Sequence, residues 1–294
     1  MQTQSSHKNI RLRQGLWLCG LVLAAIILLL PSFLDELSAL NQADLIGRYQ
    51  SELDVRSRTA LAKEREKAAQ YNSKIREAQK SHAFSYSGDS SYDSDYLHLL
   101  GGAGGIMGYL EIPAINLYMP VYHGTSADVL KQAAGHLYGT SLPVGGSGTH
   151  AVIAAHSGLR NAELFTHLTD IEENDIFYMH VLGEMHAYKV TEINIVFPSE
   201  EDAYLQVEDS RDLITLYTCT PAGINDHRLL VRGSRMKDPP SELSGKTGER
   251  TARRKQKTLL LLILIAAIPL LLFAFGLRCI KCGSKPDIET GYHR

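Results

Sequence analysis

A single cysteine, Cys219, lies in the polar stretch between the two long apolar segments of this 294-residue chain. It closes an extended run from Leu213 to Pro221, LITLYTCTP, in which Leu213, Thr215 and Tyr217 alternate with Ile214, Leu216 and Thr218. Pro221 stops a strand ladder there. A thiol without a second cysteine in its own domain forms no disulfide within it. It is either a buried side chain, a common fate for cysteine, or a nucleophile held rigid at a strand end. A second run, AVIAAHSGL at 151–159, delivers His156 at the end of an apolar strand, before the turn residues Ser157 and Gly158. An imidazole titrates near neutrality and serves as general acid or base. His123, His136, His150 and His227 are equally available, so His156 alone decides little. The third run, GINDHRLLVRG at 223–233, turns back into a strand that starts with Arg228. Arg228 and Arg232 share one face of that strand by alternation. Both have the option of plain solvation; Arg228 lies nearer the turn and hence nearer Cys219. A thiol, an imidazole and a guanidinium would together support covalent, nucleophilic chemistry.

These groups need a frame. The chain is 44% hydrophobic and 21% charged, with a formal net charge of −2. It shows no concentrated basic face, which argues against a nucleic-acid partner. Two blocks, 15–34 and 258–277, carry no charge, and each matches the ~20 apolar residues that cross a bilayer core. Lys8, Arg11 and Arg13 precede the first block; Asp35 and Glu36 follow it. The positive-inside rule then puts the N-terminus in the cytoplasm. No small-residue cleavage site follows, so an uncleaved anchor is expected rather than a signal peptide. Arg253, Arg254, Lys255 and Lys257 before the second block oppose a two-span topology, but long translocated domains escape the charge rule. Both termini are expected in the cytoplasm, with the middle outside the cell. Cys19 falls in a span, and Cys279 and Cys282 follow the other. That last pair is half a zinc site without its second half.

The expected organisation is a cytoplasmic N-terminus at 1–14, a transmembrane helix at 15–34, an extracellular helical region at 35–80, a loop at 81–105, a β-domain at 106–236, a linker at 237–257, a transmembrane helix at 258–277 and a cytoplasmic tail at 278–294. Region 35–80 is rich in helix formers and lacks proline. Region 81–105 is rich in Ser, Gly, Asp and Tyr, a loop composition; loops of this length are often lids or linkers. Phe84, Tyr86, Tyr92 and Tyr96 are aromatic handles suited to a surface groove. Within 106–236, β-prone runs recur at 107–112, 117–122, 150–155, 176–181, 186–197, 212–218 and 228–233, with short helical stretches at 126–134 and 162–168. Many short strands between turn signals indicate a sandwich or barrel.

TLYTCTPAGINDHRLLVRG at 215–233 resembles the sortase signature, a TLxTC strand followed by an Arg-bearing strand. AAHSGL at 154–159 is similar to that family's His motif. GYLEIPAINLYMPVYHGTS, GHLYGTSLPVGG and LFTHL resemble the pilus-assembling class C sortases, as does a membrane span after the catalytic domain. The resemblance implies an eight-stranded β-barrel with short helices, preceded by N-terminal helices and flanked by the two spans. It implies Cys219 as nucleophile, His156 as general acid and base, and Arg228 as the stabiliser of substrate or oxyanion. The implied enzyme is a membrane-anchored transpeptidase of a Gram-positive-type bacterium that cleaves an LPxTG-like signal between Thr and Gly. It passes the acyl group to a lysine amine of a pilin. The alternatives are a housekeeping enzyme that uses a cell-wall peptide amine and a non-catalytic peptide-binding β-domain. No metal or organic cofactor is expected. Ser157 replaces the family's usual Arg after the His. The class C lid, Asp-Pro-aromatic, is matched only by His82-Ala83-Phe84, which keeps the aromatic and lacks the acid and the proline. His82 and Phe84 are the lid candidates.

Overall fold

Alternating apolar and polar residues between turn signals form eight strands, and these close on themselves. The computed structural model describes residues 3–80, 92–159, 163–238 and 260. They fall into two compact units, Met1–Glu36 with Glu249–Arg294, and Leu37–Gly248. The strands are β1 (Ile106–Ile112), β2 (Leu117–His123), β3 (Ala134–His136), β4 (Thr149–Ala154), β5 (Ile176–Val181), β6 (Glu184–Val196), β7 (Asp212–Thr220) and β8 (His227–Arg235). They form a closed barrel in the order β1-β2-β3-β4-β7-β8-β6-β5. Pairs β2–β3 and β4–β7 are parallel; the others are antiparallel. Closure leaves no sheet edge exposed to pairing. Every residue of β1 and of β4 is buried, as expected for strands covered on both faces. Gly108 is needed where β1 meets β5: a Cβ there would press on the His180 carbonyl.

Seven of the eight strands match the runs expected from sequence within a few residues. β3 does not: its Ala134 falls at the end of the helical stretch expected at 126–134. The structure ends that helix, Ala127–Leu130, after one turn capped by the Ser126 hydroxyl. The short helix expected at 162–168 is a 3₁₀ turn at Thr166–Asp170.

Two long helices precede the barrel, α1 (Thr3–Val55) and α2 (Arg58–Lys80). On α2 the buried residues Ala68, Tyr71, Asn72, Ile75 and Gln79 follow helical spacing and form one stripe. Asn72 behaves as a strand backbone would: its amide donates to Leu142 O at 2.9 Å and accepts from Leu142 N at 2.7 Å. On the C-terminal part of α1, Ile46, Tyr49 and Leu53 pack against Ile106 and Tyr109. The second half of the expected loop is structured. Asp93 accepts from Tyr96 N and caps α3 (Ser94–His98). Tyr96 is not a surface handle but is fully buried, its hydroxyl accepting from Gly124 N at 2.9 Å. The lid candidates His82 and Phe84 lie outside the described residues.

Among the described residues no helix is long and apolar enough to cross a membrane. The two expected spans are therefore not supported by them. The side chains of much of 15–34, and all of 258–277 except Leu260, lie outside the described set.

Candidate active site

Residue types fix which face of β7 does chemistry. Ile214 and Leu216 point into the barrel core with Ile153, Leu229 and Val231. Tyr217 packs on the outer side with Val152, Val196, Leu205 and Leu230. Alternation carries Cys219 to the same outer face as Tyr217. Cys219 is half-buried and free.

β7 and β8 pair with Cys219 directly opposite Arg228. Residues opposed in an antiparallel pair project from one face with their Cβ atoms about 5 Å apart. The guanidinium, 21% exposed, is therefore a near neighbour of the thiol. Burial opposes its charge. Tyr217, Cys219 and Glu201 outweigh that, and its pKa is held above the usual guanidinium value. Its Nε donates to Tyr217 Oη at 2.7 Å, and its Nη1 donates to Asn225 O at 3.1 Å and His227 O at 3.2 Å. Tyr217 Oη in turn donates to Glu201 Oε2 at 2.8 Å.

β4 runs parallel to β7 with Val152 opposite Thr215 and Ala154 opposite Tyr217. The chain keeps that register past the strand end. Ala155 N donates to Tyr217 O at 3.1 Å, Thr218 Oγ1 to Ala155 O at 2.8 Å, and Ser157 Oγ to Cys219 O at 2.5 Å. His156 sits between two residues clamped to the end of β7. Half-buried itself, it precedes Ser157, whose hydroxyl holds the Cys219 carbonyl. The motif residue Ser157, unusual beside the family pattern, has a structural task in holding the Cys219 carbonyl.

The competing histidines are occupied elsewhere. His136 is fully buried, with Nε2 donating to Ser141 O at 2.8 Å and Tyr96 Oη 3.0 Å from Nδ1. His150 is fully buried, with Nδ1 donating to Gln206 O at 2.8 Å. His123 donates to Leu99 O, and His227 pairs with Asp226. Arg232, the rival of Arg228, is 8% exposed and is held by Glu192, Glu208 and Tyr204 O. Among the described residues no group of three or more His, Cys, Asp or Glu is placed to hold a metal ion.

Sequence reasoning missed Tyr217 and Glu201. Tyr217 was within reach, because it stands two residues before Cys219 and so shares its face. Glu201 lies in the 3₁₀ turn Glu201–Tyr204 of the β6–β7 connection, where no periodicity assigns a direction to a side chain.

Residues 110–236 match the family model described as Sortase domain. Sortase D of Bacillus subtilis is 24% identical over 132 residues, which is 44% of this chain and 63% of that protein's length. Sortase C1 of GBS Pilus Island 1 is similar in structure at a TM-score of 0.62 and 37% identity, covering 67% of this chain and 99% of that one. Sortase C of Streptococcus pneumoniae gives 0.61 and 37%, covering 66% and 97%. A barrel with this strand order, a thiol paired across a hairpin with a guanidinium, and likeness over the whole length of solved class C enzymes converge: the chain belongs to the sortase family of cysteine transpeptidases.

Proposed function

We propose that this chain is a membrane-anchored, pilus-assembling transpeptidase acting through Cys219, His156 and Arg228. The observation that carries the reading is the direct opposition of Cys219 and Arg228 on β7 and β8, with Ser157, the residue after His156, donating to the Cys219 carbonyl. The structural neighbours include one named for a pilus island and one described for pilin substrate specificity.

In this reading the Cys219 thiolate, favoured by the adjacent cation, attacks the Thr carbonyl carbon of an LPxTG-like signal. The C–S bond forms and the carbonyl oxygen takes the negative charge. Arg228 donates to that oxygen as charge develops, where a preorganised donor has most effect. His156 gives its proton to the departing glycine nitrogen as the C–N bond breaks. The thioester then meets a lysine amine of a pilin. His156 takes the amine proton, the nitrogen attacks, and the thiolate leaves with an isopeptide bond formed. The two half-reactions replace one difficult displacement.

Anchoring is part of the proposal. The uncharged segment 15–34 lies within α1, and it exposes Trp17, Leu23, Ile27 and Leu28 by 60–77%. A helix that presents large apolar side chains outward suits lipid better than water. Sortases are typically associated with the cell envelope of Gram-positive bacteria, and confinement of enzyme and substrate to one surface raises their effective concentration.

The test is mass spectrometry of the full chain incubated with a sorting-signal peptide. A thioester adduct on Cys219, lost in Cys219→Ala and discharged by an added amine, is expected. Turnover that persists in Cys219→Ala would overturn the reading.

A further inference from the structure

The guanidinium of Arg228 is satisfied on two of its three nitrogens. Nη1 is bound by two backbone carbonyls, Asn225 O in the β7–β8 turn and His227 O at the start of β8. Nε is bound by Tyr217 Oη. Among the described residues Nη2 has no hydrogen-bond partner. A planar fork held at Nε and at Nη1 in this way has a fixed orientation, with Nη2 as its free donor among the described residues.

The distances around Nε decide what holds it. Arg228 Nε lies 3.5 Å from Glu201 Oε2, too long for a good charge-assisted hydrogen bond. The two steps through the tyrosine hydroxyl, 2.7 Å and 2.8 Å, are both of normal length. The hydroxyl therefore stands between cation and carboxylate: it accepts from one and donates to the other. It needs its proton to do so. Burial, followed by the hydrogen bond and proximity to Glu201, holds the Tyr217 pKa above its usual value. The ring is fixed by packing against Val152, Val196, Leu205 and Leu230.

We infer that Tyr217 and Glu201 are positioning residues for Arg228: Glu201 orients the Tyr217 hydroxyl, which holds Nε and keeps the Nη2 edge toward the reacting carbonyl beside Cys219. This rests on the transpeptidase reading for its catalytic consequence. With the hydroxyl gone, the guanidinium is free to close directly on Glu201.

The experiment uses the full chain and two readouts. The first is steady-state cleavage of a sorting-signal peptide. Because the guanidinium acts on charge that develops in the transition state, Tyr217→Phe is expected to lower kcat about tenfold with KM within about twofold. Glu201→Gln keeps an acceptor for the hydroxyl and stays within about twofold of wild type, whereas Glu201→Ala behaves like Tyr217→Phe. In an Arg228→Lys background, Tyr217→Phe has no further effect. The second readout needs no peptide: alkylation of Cys219 by iodoacetamide at neutral pH slows about threefold in Tyr217→Phe and is unchanged in Glu201→Gln. Unchanged kcat and unchanged alkylation in Tyr217→Phe would overturn the inference. So would equal damage from Glu201→Gln, which would make the direct ion pair the holder, or a Tyr217→Phe effect that persists undiminished in the Arg228→Lys background. Absence of any thioester in the wild type would sink the transpeptidase reading instead, and the alkylation comparison would still decide how Arg228 is held.

Discussion

Arg228 and Arg232 are four residues apart on one strand face, yet their surroundings give them different work. Arg232 is enclosed by Glu192, Glu208 and Tyr204 O and ties β8 to β6 and to the β6–β7 connection. Arg228, opposite Cys219 across the hairpin, keeps Nη2 without a hydrogen-bond partner among the described residues. Charge alone does not reproduce that: a lysine ammonium cannot bind Tyr217 and two carbonyls while holding a planar donor toward substrate. Arg228→Lys is therefore expected to lower kcat/KM by about 100-fold, the scale for loss of one preorganised donor. Arg232→Ala should lower stability by about 2 kcal/mol through lost charge-assisted hydrogen bonds, with kcat/KM per folded molecule near wild type. Urea unfolding and peptide cleavage on both variants separate the two roles; the reverse pattern would move the catalytic cation to Arg232. At this scale Cys219, His156 and Arg228 stood out in the sequence because each ends or begins a recognisable strand beside a turn. Glu201 did not, since it lies 16 residues before Tyr217, in the connection ahead of β7.

Among the elements, β3 and β4 carry a cost that appears in acid. His136 on β3 and His150 on β4 are both fully buried, and burial pushes each pKa down to about 4. Both rings are neutral in the fold: each donates from one nitrogen to a carbonyl, Ser141 O or Gln206 O. An unfolded histidine titrates near 6.5. Between those values the unfolded chain holds protons that the native rings refuse, so unfolding takes up protons. Their stabilisation is complete above about pH 6.5 and is lost as pH falls toward about 4. The urea midpoint should fall steadily across that window, and His150→Gln should give a lower midpoint with a shallower pH slope. A midpoint flat from about pH 6.5 to 4 would mean that these imidazoles are accessible to protons in the native state. β3 itself was illegible in sequence. Its three residues are too few for a period, and Ala134 follows a helical turn without a break. Its pairing with β2 on one side and β4 on the other makes it a strand.

For the whole molecule, the sequence supplies its own topology probes. Cys219 lies in the barrel domain, whereas Cys279 and Cys282 follow the apolar segment 258–277. With two spans and a translocated middle, these thiols stand on opposite sides of the bilayer. The basic residues before 15–34 and the acids after it favour this orientation; the basic group at 253–257 opposes it. Long domains translocate largely regardless of charge, and the first anchor usually sets the orientation. A membrane-impermeant maleimide applied to intact cells should label wild-type protein at Cys219, and Cys219→Ala should remain unlabelled. Permeabilisation should then add label at Cys279 and Cys282 in both. Labelling of the Cys279–Cys282 pair in intact cells, with Cys219 protected, would invert the topology. It would also remove the substrate from the enzyme's reach, because a sorting signal displayed on the outer surface meets a thiol only on that same side. The cellular location and the proposed chemistry therefore stand or fall on one set of labels.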